Sequence, residues 1–286
     1  AMLLPAAYEL VLGSPNWTSF VVSSSITGFA GITLSLTTRT KRPVFSVRHA
    51  FVFTTVAWAA VCLFGALPFV FGDLGLSLGE AVFEATSGIT TTGSTVMTGL
   101  DLLSPGFLLW RALLQWLGGM GIIVLAVAVL PMLGVGGRQL YRAETPGPVK
   151  DTKLTPRITE TAKALWYVYL AFTVACMVAY RIAGMGWFDA LCHAFSTVAI
   201  GGFSTHDASI GYFNSTAIDL VGIVFMFVAG INFSLHFFAW RYTSIKHYKN
   251  DPEFRAYSII LLCVSFIVVF FLFQSRGLEN SGQTLI

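Results

Sequence analysis

The sequence predicts an all-α integral membrane protein built from repeats. Each repeat is a spanning helix, a re-entrant half-helix with an extended loop behind it, and a second spanning helix. Three observations predict this class. Hydrophobic residues make up 55% of the 286 positions and charged residues 11%, against about 45–50% and about 25% in soluble domains. Six apolar stretches reach spanning length. Two outer segments also repeat at an offset of 109 residues. So much apolar surface cannot be hidden in one aqueous globule, which argues against a cytoplasmic enzyme, a disordered tail or a nucleic-acid binder. A net charge of +3 supplies no basic field for nucleic acid. Cys62, Cys176, Cys192 and Cys263 form no CxxC pair and suggest no disulfide framework.

A helix crosses a slab of about 30 Å with roughly 20 apolar residues. The stretches 17–38, 50–72, 106–133, 161–182, 213–240 and 256–275 meet that length. Met2 to Leu12 is shorter and reads as the outer end of a cut helix. It has no basic leader and so is no signal peptide. Of the 17 Lys and Arg, 14 lie in Arg39–Arg48, Arg138–Lys163 and Arg241–Arg255. The positive-inside rule places these segments in the cytoplasm. The opposite loops carry Asp73, Glu80, Glu84 and Asp101, then Asp189 and Asp207. These acids read either as simple solvation or as a cation-attracting vestibule.

The outer loops 73–105 and 183–212 each contain a short half-helix, Glu80 to Ser87 and Asp189 to Ser196. Each opens with an acid, which suits a helix N-terminus. Each runs into small polar residues, ITTTGST at 89–95 and VAIGGFST at 198–205. At the common offset Glu80 maps on Asp189, Ser87 on Ser196, Gly93 on Gly202 and Gly121 on Gly230. Internal duplication is a recurrent way to build a transport path. A third unit starts at Phe254 with the span 256–275 and stops before its own half-helix. The expected organisation is a helical hairpin and basic loop at 1–49, a first repeat at 50–159, a second at 160–253, and the start of a third at 254–286.

Such a pattern suits a cation path. Non-helical backbone at membrane depth is tolerated only where protein or a water-filled cavity surrounds it. The C-terminal end of a half-helix carries partial negative charge. Carbonyls of the extended residues behind it can replace a cation's hydration shell. Thr90, Thr91 and Thr92 add hydroxyls that can satisfy neighbouring backbone or coordinate an ion. The available side chains are neutral, so selectivity would come from dipoles and cavity geometry.

Three segments carry a resemblance: FEATSGITTTGST at 83–95, LQWLGGMGIIVLAVAVLPMLGVGGRQLYRAETPGPVKD at 114–151 and FSTVAIGGFSTHDASIGYF at 195–213. Through them the chain resembles the Trk/Ktr/HKT superfamily of potassium transporters, in particular the membrane subunits of bacterial Trk systems. The resemblance implies membrane–pore helix–membrane repeats with extended filter loops, a K⁺-channel-like architecture of four repeats around one path. It implies a multi-pass protein of the bacterial inner membrane that takes up K⁺, with Na⁺ or H⁺ as further candidate ions. It also implies a homodimer and a cytoplasmic nucleotide-binding regulatory subunit, with no cofactor and no enzymatic activity. Carried over by position, the metal-ion ligands are Thr90, Thr91, Thr92 and Gly93 in the first filter. In the second they are Ala199, Ile200, Gly201 and Gly202. Glycine at the Gly93 position goes with potassium preference in the superfamily. The later filters and a glycine-rich gate are absent from this sequence, which therefore reads as a fragment.

Other residues have more than one reading. Arg111, five residues into its span, either snorkels to the headgroups or pairs with Asp219. Glu84 and His193 occupy equivalent places, and hydrogen bonding behind the filter suits them better than ion ligation, because they differ in charge. His206 with Asp207 reads as a polar outer turn, since no second ligand pair supports a metal. GGMG at 118–121 reads as close helix packing or a bend. The segment 137–158 is a solvated connector or a docking surface for the regulatory subunit. GVGG at 134–137 lacks the strand, helix and lysine of a nucleotide loop. Outside transport, the competing class is a non-conducting membrane scaffold that docks a cytoplasmic partner and has no need of paired half-helices. A membrane-embedded enzyme would want polar clusters inside the spans.

Overall fold

A computed structural model of the chain describes residues 1–38, 47–121, 158–242, 244 and 246–282. The lower part of the span 106–133, the GVGG turn and nearly all of the segment 137–158 lie outside them, as do most of the first two basic segments. The described residues form eleven α-helices and two 3₁₀ turns, with no strand. The backbone divides into two compact units, Ala1–Gly230 and Ile231–Ile286.

The first unit opens with a hairpin of α1 (Leu3–Val11) and α2 (Trp17–Thr37). Leu3, Leu4, Leu10 and Val11 of α1 are exposed, as a lipid-facing surface requires. Glu9 is fully buried instead. It accepts from Ser104 Oγ and from the Gly106 amide at the head of α5, where a carboxylate opposes the positive end of a helix.

Helix α3 (Val47–Phe71) is continuous through Pro68. The Ser19 hydroxyl donates to its last carbonyl, Phe71 O, at 2.9 Å, and Trp110 Nε1 donates to Gly65 O at 2.9 Å. Helix α4 (Leu78–Ile89) is the first half-helix and α5 (Pro105–Gly119) follows it. Phe20, Phe69 and Phe107, one each from α2, α3 and α5, meet in a buried aromatic cluster. The second repeat runs through α6 (Ile158–Ile182), α7 (Trp187–Val198) and α8 (Thr216–Ala229). In both repeats all three helices pack on one another, and α5 also packs against α7.

The second unit contains α9 (Phe233–Tyr242), α10 (Lys246–Asn250) and α11 (Pro252–Gly282). Asp251 caps α11 by accepting from the Phe254 amide at 2.7 Å. Apolar residues from Ile259 to Leu272 are exposed along α11, as lipid contact demands.

Among the described residues four helices are long and apolar enough to cross a membrane: Trp17–Thr37, Val52–Phe71, Lys163–Ile182 and Pro252–Leu272. They match four of the expected spans. The expected span 213–240 is not one helix. Helix α8 stops at Ala229 and α9 starts at Phe233, with Gly230 capping the break. Glycine is a poor helix interior, and a hydropathy window averages across such a break. The half-helices are also longer than the acid-to-serine reading suggested, at 12 residues each.

Candidate functional site

The two half-helices are the same object built twice. Leu78–Ile89 and Trp187–Val198 correspond residue for residue at the offset of 109. Helix α4 begins with a reciprocal capping box between Ser77 and Glu80, which satisfies two orphan amides. Glu80, hydrogen-bonded by Ser77, is held below its ordinary pKa. Helix α7 is preceded by Gly186 at its N-cap and carries Asp189 in its first turn.

The C-terminal ends match more closely still. The Thr91 amide donates to Gly88 O at 3.0 Å and the Thr92 amide to Ser87 O at 2.9 Å. In the second repeat Ile200 donates to Thr197 O at 3.1 Å and Gly201 to Ser196 O at 2.9 Å. Both ends are Schellman turns, which need a left-handed residue just beyond the cap. That residue is Thr91 in one and Ile200 in the other, each at φ 54°. Positive φ is strained for a β-branched side chain, and such strain gathers at functional sites. Gly93 and Gly202 then adopt φ 79° and 82°.

The two extended loops come together. A Cβ added to Gly93 would fall on the carbonyl oxygen of Gly201, so the loops approach within backbone contact. Between and outside them lies a cleft of about 470 Å³, lined by Gly93, Thr95, Gly202, Ser204 and His206 among others. Among the described residues no donor reaches the carbonyl oxygens of 90–93 or of 199–202. The Thr90 hydroxyl donates to Thr86 O at 2.7 Å and meets Thr92 Oγ1 at 2.8 Å. At least one of these hydroxyls is therefore engaged with backbone.

Behind each loop a side chain braces it. Glu84 accepts from Thr95 Oγ1 at 2.8 Å and from the Val96 amide at 3.1 Å. His193, at the equivalent place, joins Ser204 Oγ at 2.9 Å, and Ser204 is the equivalent of Thr95. Its other nitrogen donates to Asp189 O at 2.9 Å, so a neutral ring accepts from the serine. These contacts are the hydrogen bonds expected of the two residues.

Arg111 departs from both of its readings. It is 1% exposed and pairs with Glu84, Nε to Oε1, at 2.7 Å. Its Nη1 donates to Ser204 O at 3.0 Å, Nη2 to Thr95 Oγ1 at 3.1 Å, and its guanidinium lies 4.3 Å from the Phe203 ring centre. Neither headgroups nor Asp219 hold it, because a buried guanidinium needs a nearby carboxylate and Glu84 is one. Gln115, one helical turn further on, accepts from the Phe203 amide at 3.1 Å. Sequence reasoning missed Gln115 and Glu9. Each is a polar residue in an apolar stretch, which is the signal that could have found them.

Gly118 and Gly119 let α5 reach both half-helix ends. A Cβ on Gly118 would strike Ile89 O, and one on Gly119 would lie 2.8 Å from the Ala199 Cβ and 2.6 Å from the Tyr169 hydroxyl. Close packing is thus the role of this pair, and α5 also ends there.

At the outer rim, His206 Nδ1 pairs with Asp101, and the ring stacks on Tyr212 at 3.5 Å. Asp101 is pulled below its ordinary pKa, mainly by the His206 hydrogen bond. Asp207 accepts from the Leu100 amide at 3.0 Å. This polar turn ties the two outer loops together. Among the described residues no group of His, Cys, Asp and Glu could hold a metal ion.

Comparison with known proteins agrees with this geometry. The family model described as TrkH, a cation transport protein, matches residues 17–275. The chain belongs to the TrkH family. As a member it is a multi-pass protein of the bacterial inner membrane. It is 54% identical over 261 residues to the Trk system potassium uptake protein TrkH of Halomonas elongata, covering 91% of this chain and 54% of that protein. It is 46% identical over 268 residues to Escherichia coli K12 TrkH, covering 92% and 56%. The crystal structure of the potassium transporter TrkH from Vibrio parahaemolyticus superposes with a TM-score of 0.79 at 45% identity, covering 95% of this chain and 55% of that one. The chain thus spans about half the length of the curated relatives it matches.

Proposed function

We propose that this TrkH-family chain forms part of the ion path of a potassium uptake protein, and that transport is its activity. Residues 50–159 and 160–253 act as two membrane–pore–membrane repeats, with 1–49 ahead of them and 254–286 opening a further one. Potassium enters the cleft between the outer loops and sheds water at the carbonyls of Thr90, Thr91, Thr92 and Gly93 and of Ala199, Ile200, Gly201 and Gly202. A gradient supplies the drive, since one charge crossing 100 mV is worth about 2.3 kcal/mol. A homodimer and a cytoplasmic nucleotide-binding regulatory subunit complete the reading.

One observation carries it. Two half-helices with the same backbone turn bring their trailing loops into contact at Gly93 and Gly201. A scaffold would have no use for that close meeting of two loops.

The test is Gly93→Ser and Gly202→Ser in a complete transporter that carries this sequence. Serine at either place should lower the preference for Rb⁺ over Na⁺ in uptake assays. An unchanged preference in both variants would refute the filter assignment.

A further inference from the structure

This inference rests on the transport reading above. We propose that Gln115 and Arg111 of the first repeat are positioning residues for the second filter loop, so that cation preference at residues 199–202 is set from the neighbouring repeat.

Four residues apart, the two side chains share one face of α5. That face grips consecutive residues of the other repeat. Gln115 Oε1 holds the Phe203 amide at 3.1 Å, Arg111 Nη1 holds Ser204 O at 3.0 Å, and the guanidinium lies over the Phe203 ring at 4.3 Å. Gln115 also presses on the filter itself, because a Cβ added to Gly201 would collide with its side-chain amide. The second repeat has no such grip of its own. The positions equivalent to 111 and 115 are Leu220 and Val224, apolar and more than half exposed.

The hydrogen bonding of Gln115 strengthens the assignment. The Phe203 amide requires an acceptor, which fixes the side-chain oxygen toward it. Gln115 Nε2 is then left buried without an acceptor among the described residues. A buried polar atom with no partner is costly, and an apolar residue would fill this space without that cost. The amide is placed for what its oxygen holds.

The experiment measures the Rb⁺ to Na⁺ uptake ratio in a complete transporter carrying this sequence, with Gly202→Ser as the control. Gln115→Leu keeps the bulk and removes the acceptor. Its ratio should fall on the order of fivefold, as the loss of one hydrogen bond to the loop implies. Gln115→Glu keeps the shape and an acceptor oxygen and should hold the parent ratio, whereas a purely steric role would leave the ratio of Gln115→Leu unchanged as well. Arg111→Lys keeps the charge beside Glu84 but loses the planar fork, and should shift the ratio in the same direction as Gln115→Leu. It decides the matter where the leucine variant does not reach the membrane. A shifted Gly202→Ser control beside unshifted Gln115→Leu or Arg111→Lys overturns this proposal and leaves the transport reading standing. Gln115→Glu behaving like Gln115→Leu overturns it as well. Should Gly202→Ser and Gly93→Ser also leave the ratio unmoved, the transport reading itself falls.

Discussion

Breaking the Glu84–Arg111 pair tests the scaffold behind the two extended loops. Both side chains are buried, and they meet at 2.7 Å. Glu84→Gln strips the charge and leaves a guanidinium with neutral partners, among them the Ser204 carbonyl, the Thr95 hydroxyl and the Phe203 ring. Arg111→Met strips the other charge and leaves a carboxylate with Thr95 and the Val96 amide. Removing one partner of a buried pair costs about 3–5 kcal/mol, because the remaining charge has lost its counter-charge. A protein has only about 5–15 kcal/mol of stability in total, so each single variant should unfold much more easily than the parent. The double variant buries no charge here and should lose less than the two singles together. A coupling of about 2–3 kcal/mol lies at the upper end for contacting residues. The assay is denaturant unfolding of the purified complete protein in detergent, read as a double-mutant cycle. Losses that add to within about 0.5 kcal/mol would mean the two sites act independently. The pair would then be screened by water from the cleft and would not hold the loops.

Two further expectations concern the loops themselves. Gly93→Ala should cut rubidium uptake further than Gly202→Ala does, because the methyl would strike Gly201 O and force the loops apart, whereas Gly202→Ala meets nothing within 4 Å and bears only the strain of its positive φ. Equal losses in the two variants would show that φ, not the meeting of the loops, sets the requirement. At the outer rim, the depressed pKa of Asp101 fixes the sign of an acid effect. Its stabilising contribution is present above the unfolded value of about 3.9 and disappears as pH falls through the lower folded value. Asp101→Asn should therefore unfold earlier than the parent at about pH 5 and converge with it below that window. A stability gap that does not narrow in acid would contradict the pairing with His206.

Much of the architecture was legible in the sequence because lipid imposes a simple code. Long apolar runs mark the spans, and four of them lie where hydropathy put them. The half-helices showed through an acid, a glycine and a constant offset. Their lengths did not, since the reading began at the acid and overlooked Ser77, although S-x-x-E is itself a start signal. Arg111 was misplaced for a different reason. Its partner Glu84 lies 27 residues away, and no local periodicity links a half-helix to the spanning helix after it. Gln115 was missed for the same reason, because its partner belongs to the other repeat. The left-handed turns at Thr91 and Ile200 were invisible, since β-branched residues seldom advertise positive φ. Tertiary closure imposes them.

The carboxylate of Glu9 has consequences for biogenesis. Its acceptor duties are toward groups 95 and 97 residues downstream, which a ribosome adding about 5–20 residues per second reaches several seconds later. An acid buried among apolar groups without a partner is costly, and among the described residues Glu9 finds its donors only at the head of α5. It follows that α1 does not settle alone. It takes its final depth when the head of α5 arrives, so a segment synthesised ahead of α5 is locked in place only after it.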